Sequence, residues 1–256
     1  MALSVPNSYP QFDSLYGWTS QVTGNTAISV DTGIGMDSTN VMWLQTTSTI
    51  TMDLTTTGLN ALDTGSLAAS TVYALYIIGD SKNFLQTGAI LSASLSGAIA
   101  YPSDPTGQSN YDCYRLIGYA ITDSSSHLMV QYIMGTGVSK TVRYATAVQV
   151  LNGGTSSAGA AVDCSSCVPA VNRTVILATC LFTPATANDY ASFGAPTISA
   201  ATLLGPVVSG VVASKVQSDQ LQLLTTLSSS VAKFGYINSA ASGSTTVNVQ
   251  GYNINL

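Results

Sequence analysis

The chain has 256 residues, enough for one large β domain or two smaller ones with a sizeable core. Charged residues make up 7% of it, against about 25% in ordinary soluble domains, and all twelve acids are Asp. A pI near 4.4 with seven scattered cations argues against a nucleic-acid partner, and scarce Lys and Arg with no Glu argue against a helical fold.

Ser, Thr, Gly, Ala, Val and Tyr fill the space left by the missing charges, and these residues suit pleated strands and tight turns. In chain order, strands are expected at Thr26–Val30, Val41–Gln45 and Ser48–Leu54, the last with Ile50, Met52 and Leu54 on one face. Asp31–Asp37 carries turn residues, and Gly58–Gly65 reads as a longer loop. Thr71–Ile78 is apolar on both faces, which predicts a central strand covered on both sides. Ala89–Ala100 softens into small residues and gives no assignment. Pro102–Tyr111 is a loop, because two prolines and a glycine preclude a central strand.

Cys113–Ile121 and Leu128–Met134 are expected strands with Asp123–Ser126 as the hairpin turn between them, and Gly135–Gly137 ends the pair. Val142–Leu151 is the next strand, followed by a Gly/Ser-rich turn or linker at Asn152–Ala160. Thr174–Phe182 is a strongly apolar strand and Asn188–Ser192 a polar connection. Ser218–Leu227 alternates with a register change through Leu224. Ser230–Ile237 and Thr245–Tyr252 close the chain as a hairpin around Ser239–Gly243. Many short strands with turn signals about every 8–12 residues predict an all-β, antiparallel β-sandwich of jelly-roll type. The chain is divided softly into residues 1–145 and 146–256 as two sandwiches in tandem, with one continuous domain as the alternative.

No segment reaches the roughly 18 consecutive apolar residues of a membrane helix; the most hydrophobic stretch, Ile198–Ala213, is broken by Gly205-Pro206 and Gly210. The N-terminus, Met1–Pro6, lacks the basic start and apolar block of a signal peptide. These features predict no membrane partner.

Catalytic residues are not expected. The single histidine, His127, sits beside a turn, and no G-x-S-x-G elbow supplies a strained serine. Asp63, Asp80, Asp104, Asp112 and Asp123 lie near loops, yet no spacing singles out a carboxylate pair, and Asp in turns ordinarily bonds its own backbone. Cys164-Ser165-Ser166-Cys167 is a C-x-x-C without the second pair or the two histidines that a structural zinc site wants, so buried free thiols or a late disulfide are expected, with no metal and no cofactor. The Asp31–Asp37 loop lacks the clustered acids and closing Glu of an EF-hand. Sugar-binding surfaces use exposed aromatics, and two groups qualify. Tyr9, Phe12, Tyr16 and Trp18 form an aromatic N-terminal arm suited to docking or to packing on its own sandwich. Tyr101, Tyr111 and Tyr114 surround the proline loop.

The words Gly58-Leu59-Asn60-Ala61-Leu62-Asp63-Thr64-Gly65, Thr71–Ile78, Tyr101-Pro102-Ser103-Asp104-Pro105, Tyr114-Arg115-Leu116-Ile117-Gly118 and Ile121-Thr122-Asp123 follow one another in this order. Val162-Asp163-Cys164, Val168-Pro169 and a closing Val247–Tyr252 come later. From about residue 50 onward this resembles a loose family of tailed-bacteriophage virion proteins, tail-fibre-like or particle-surface. That family shows a "GLDTG" turn, an aromatic strand, a proline loop, "R-x-I-G", "TD" and a terminal "V-x-G-Y". Val72 and Ala74 stand where the family usually has Trp and His, so no function resting on an aromatic surface is carried over for that strand.

The resemblance implies a structural protein of a virion, synthesised in the host cytoplasm and exposed on the particle as a capsid-decorating or fibre/spike subunit. Other virion proteins would be its partners, in a homo-oligomer for which a trimer is the family's usual state. The absence of a long repetitive shaft favours a compact decorating subunit or short knob. A receptor-binding tail protein that attaches to a host surface glycan is the first alternative, with Tyr101, Tyr111 and Tyr114 facing the host and the Tyr9–Trp18 arm docking on the particle. A secreted carbohydrate-binding β-sandwich module is the second.

Overall fold

The structure is a computed structural model that describes residues 15–96, 111–135, 137–171, 174–195, 206–228 and 231–256. Among these residues there is no helix. The first ten strands are β1 (Leu15–Gly17), β2 (Ser20–Gly24), β3 (Ala27–Val30), β4 (Gly33–Met36), β5 (Trp43–Thr46), β6 (Ile50–Asp53), β7 (Ala61–Leu62), β8 (Val72–Asp80), β9 (Asn83–Ser92) and β10 (Tyr111–Ile121). They are followed by β11 (Gln131–Met134), β12 (Ser139–Gly154), β13 (Ala160–Asp163), β14 (Val175–Thr183), β15 (Tyr190–Gly194), β16 (Val207–Ser209), β17 (Gln217–Leu224), β18 (Thr226–Ser228), β19 (Val231–Asn238) and β20 (Ser244–Asn255). They form sheets of three (β1-β4-β5), four (β10-β8-β9-β7), eight (β17-β14-β20-β12-β11-β2-β3-β6) and five strands (β13-β19-β15-β16, with β18 also on β19). Every pairing is antiparallel except β7 with β9. These pairings establish an all-β sandwich of antiparallel sheets and leave the jelly-roll winding unestablished.

The predicted central strand is β8. Its side chains alternate between two separate cores, Tyr73, Leu75 and Ile77 into one and Ala74, Tyr76 and Ile78 into the other. The larger core continues through Ile176, Phe182 and Tyr252 of the eight-stranded sheet and Phe193 and Phe234 of the five-stranded sheet. The smaller core gathers Leu15, Trp18 and Leu44 with Ile28, Val30 and Met52. Each of the large apolar side chains contributes about 1.5–3 kcal/mol by burial. The four-stranded sheet is therefore wetted on neither face over β8, which explains a strand with no polar alternation.

Four local expectations are corrected by long-range pairing. Within Asp31–Asp37, β4 is a strand rather than a turn. The indole of Trp18 lies against Gly33, where a Cβ would come within 2.4 Å of its Cδ1, so this glycine makes room for a side chain across the strand. Within Asn188–Ser192, only the start turns, at Asn188 with φ +70°; β15 follows and buries Ala191 and Phe193. The Asp123–Ser126 turn forms, closed by the Asp123 amide on the His127 carbonyl at 2.8 Å. Beyond the Thr122–Leu128 bridge, however, β10 pairs with β8 while β11 joins β12 and β2. Likewise β19 and β20 do not form a hairpin but part into different sheets. Asn238 holds that corner: its Nδ2 donates to the carbonyls of Gly154 and Gly243, both at 2.9 Å, and its Oδ1 accepts from the Thr245 hydroxyl at 2.5 Å.

The eight-stranded sheet draws strands from both sides of residue 145. β12 passes through that point, with a register shift against β20 between Arg143 and Val148.

Candidate interaction surfaces

Residues opposite one another in an antiparallel ladder share a face. One such row crosses the whole eight-stranded sheet on the side away from the two core clusters: Thr51, Ser29, Gln21, Tyr132, Arg143, Gly251, Leu177 and Gln222, of which Gly251 and Leu177 are themselves buried. A neighbouring row runs Gln220, Thr179, Asn248 and Gln149. Arg143 is the one charged residue in these two rows. The amides and hydroxyls are in part already joined: Gln220 Nε2 and Gln250 Nε2 donate to Thr179 Oγ1 at 3.0 and 2.7 Å, and the Thr141 hydroxyl donates to Asn253 Oδ1 at 2.8 Å. Tyr132 and Met134 stand exposed on the same face. This surface was not singled out from the sequence. Its signal was there, as the polar alternation Thr246, Asn248, Gln250 in β20, but a face spread over eight strands is assembled only by pairing.

The aromatic residues singled out above do not come together as one surface. Tyr9, Phe12 and Tyr101 lie outside the described residues. Tyr16 is exposed on β1, but Trp18 is fully buried in the smaller core, its Nε1 donating to Thr46 Oγ1 at 2.8 Å. Of the two expectations for the aromatic cluster, Trp18 follows packing on its own sandwich rather than docking, because the chain turns inward at Gly17 and Trp18, both with positive φ. Tyr111, 6% exposed, packs in the larger core, so its ring is not presented to a host. Tyr114 is half-buried and meets Tyr76 edge to face, with ring centroids 5.5 Å apart.

The acids hold turns. Asp53, Asp123 and Asp163 each accept an amide two residues on, at 2.8–3.0 Å. Asp112 accepts the Ser81 amide and hydroxyl at 2.7 and 2.6 Å; burial acts to raise its carboxyl, and these donors together with its own amide and the Cys113 thiol more than offset it, leaving it below the ordinary value. Beside it, burial first and then the Asp112 charge push the Cys113 thiol up to about 11. His127 Nδ1 lies 3.9 Å from Asp123 Oδ2, both side chains about half exposed. Cys164, Cys167 and Cys180 are buried free thiols, the latter two pushed up to about 12 chiefly by burial. No group of three or more potential metal-ligating His, Cys or Asp side chains converges among the described residues.

Lys140 is fully buried, and Nζ donates to the carbonyls of Gly17 and Gly135 at 3.0 and 2.9 Å. Loss of solvation lowers its ammonium to about 8.

No protein-family model and no curated protein matches the chain. Among solved structures it is similar to one titled "Structure of infectious bursal disease virus Gx strain", at 11% identity over 98% of this chain and 73% of that one. The TM-score is 0.26, too low for a common fold, and nothing is transferred from that protein.

Proposed function

We propose that this protein is a structural subunit of a virus particle, carried on the surface of a bacteriophage virion as a capsid-decorating or fibre/spike component. One observation supports the reading beside the sequence resemblance: the broad outer face of the eight-stranded sheet, almost without charge and with several of its polar groups already bonded to one another. Removing a charge from water costs several kcal/mol even in favourable settings, whereas paired amides and hydroxyls lose little on being covered. The buried centres of protein interfaces are depleted of charge for this reason. Such a face suits close packing against other virion proteins or further copies of the chain, a homo-oligomer that the resemblance implies is trimeric.

Attachment to a host surface glycan is a second reading, favoured by exposed Tyr132 beside Gln21 on the same row. An aromatic ring flanked by an amide suits the apolar face and hydroxyls of a sugar.

Immunogold electron microscopy of purified particles, with antibody against this chain, tests the first reading. Label over the head identifies a decorating protein, and label at the tail tip or on projections identifies an attachment component. Particles without label overturn the proposal. Adhesion of soluble protein to host cells, lost in Tyr132→Ala with unchanged melting, would support the second reading.

A further inference from the structure

The five-stranded sheet turns Ala191, Phe193, Val208 and Tyr236 into the larger core. Ser192 stands between Val207 and Ile237 in the ladder, so these residues share the opposite face, and Tyr190 lies on the same side two positions before Ser192. That face holds a hollow of about 460 Å³, lined by all of these residues together with Ser239 and, from the β12–β13 connection, Ser157. The volume falls within the roughly 300–1,000 Å³ of small-molecule sites. Its floor is closed: Ile237 is 7% exposed yet belongs to neither core, and Ser192 is 4% exposed. The Ser192 hydroxyl makes no hydrogen bond among the described residues, and a buried hydroxyl costs free energy until something reaches it. The rim is open, with Tyr190 and Val207 both about half exposed. Tyr190 is held from behind: its amide donates to the Ser239 hydroxyl at 2.9 Å, its carbonyl accepts the Ser239 amide at 2.8 Å, and that hydroxyl donates to Asp189 Oδ1 at 3.2 Å. Among the described residues no charged side chain lines the hollow.

We infer that this hollow binds a neutral pyranose ring of a saccharide. The lining selects that class. A pyranose presents a patch of C–H groups edged by hydroxyls, and carries no charge. Tyr190 and Val207 offer apolar surface to the patch, while the Ser192 hydroxyl offers a bond that the fold leaves unmade. An ion would find no opposite charge in the lining to repay its lost hydration, and a fatty chain would leave Ser192 unpaired. The inference goes beyond the subunit reading and rests neither on it nor on Tyr132, which belongs to the eight-stranded sheet.

Saturation-transfer NMR on the full chain tests it, with the methyl glycosides of glucose, galactose, mannose and N-acetylglucosamine as probes. Transfer to the ring C–H protons of at least one glycoside is expected, with a Kd on the order of 1 mM. Tyr190→Ala weakens binding about tenfold or more, whereas Tyr190→Phe keeps the ring face and stays within about threefold. Ser192→Ala weakens it about fivefold with unchanged melting, because the hydroxyl it removes has no partner in the fold. Absence of transfer from every glycoside, or transfer unaffected by both Tyr190→Ala and Ser192→Ala, overturns the site. Transfer lost in Tyr132→Ala but kept in Tyr190→Ala overturns it in favour of the eight-stranded face. Glycoside binding by a chain absent from particles would sink the subunit reading and leave this site standing; labelled particles without glycoside binding would do the reverse.

Discussion

The Cβ that Gly251 lacks would lie 2.0 Å from the carbonyl oxygen of Val142 on the neighbouring strand. β20 shifts register against β14 close to this point, and Gly251 has φ +157°. The glycine of the terminal "V-x-G-Y" word is therefore a packing requirement in the middle of the largest sheet. Gly251→Ala must push two paired backbones apart. Denaturant unfolding is expected to show a loss on the order of 3 kcal/mol, or an insoluble product.

Two buried tyrosines on adjacent strands, their ring centroids 6.3 Å apart, predict opposite outcomes. Tyr144 donates its hydroxyl to the Cys167 carbonyl, while the Tyr252 hydroxyl has no partner among the described residues. Tyr144→Phe leaves a buried carbonyl unpaired and lowers stability by about 1 kcal/mol. Tyr252→Phe removes an unpaired hydroxyl and leaves stability equal or higher. Chemical denaturation of the two variants side by side checks this.

Lys140 gives a pH signature. Its folded value, about 8, lies below the ordinary 10.5, so between these values the unfolded chain holds more protons and this group's contribution rises with pH. Wild type is expected to gain on Lys140→Met as pH climbs from 8 towards 10.5, read as the difference between their melting temperatures at each pH. A constant difference would show that the lysine is not held in this way.

At acid pH, Asp37 should matter. Its Oδ1 accepts the amides of Val41 and Met42 at 2.9 and 3.0 Å, and its Oδ2 accepts the Thr39 hydroxyl at 2.6 Å. Burial works to raise the carboxyl, but these donors outweigh it and hold it below the usual 3.8. The stability it supplies is present above that pH and lost as pH falls through its lower, folded value. Asp37→Ala is expected to cost about 2 kcal/mol at pH 7, and the gap should close on acidification below the usual carboxylate range.

The buried thiols should be silent in the native state. Thiol reagents act on the thiolate, and burial favours the neutral form of Cys113, Cys167 and Cys180. Native protein is expected to resist a colorimetric thiol reagent that reacts fully after denaturation. As pH passes 9.0 the unfolded chain sheds these protons first, so their contribution to stability declines. EDTA should leave the melting temperature unchanged, and a clear drop would reveal a metal held by these cysteines.

Much of the strand inventory was legible in the chain itself, for local reasons. The period-two runs at Ile50–Leu54 and Thr245–Tyr252, and the doubly apolar Thr71–Ile78, report burial directly, because side chains alternate along a strand whatever its partner. Turn acids such as Asp123 announce themselves because their bonds reach only two to four residues along the chain. The misreadings share the opposite cause. Gly33 looked like a turn residue because its reason, the Trp18 indole, lies across the strand; Tyr111 looked like a surface aromatic because its burial depends on strands far away in sequence, whereas the burial of Trp18 follows the own-sandwich packing expected as the alternative to docking.

Composition alone determined that this chain is all-β and poor in charge, since residue propensities and ionisation need no partner. Tertiary structure decided where that neutrality is displayed. A hairpin signal says that the chain reverses, but not which sheet each arm joins, and the parting of β10 from β11 and of β19 from β20 builds the eight-stranded face. That face and the buried Lys140 exist only through contacts between distant residues, and side-chain alternation along one strand cannot encode them.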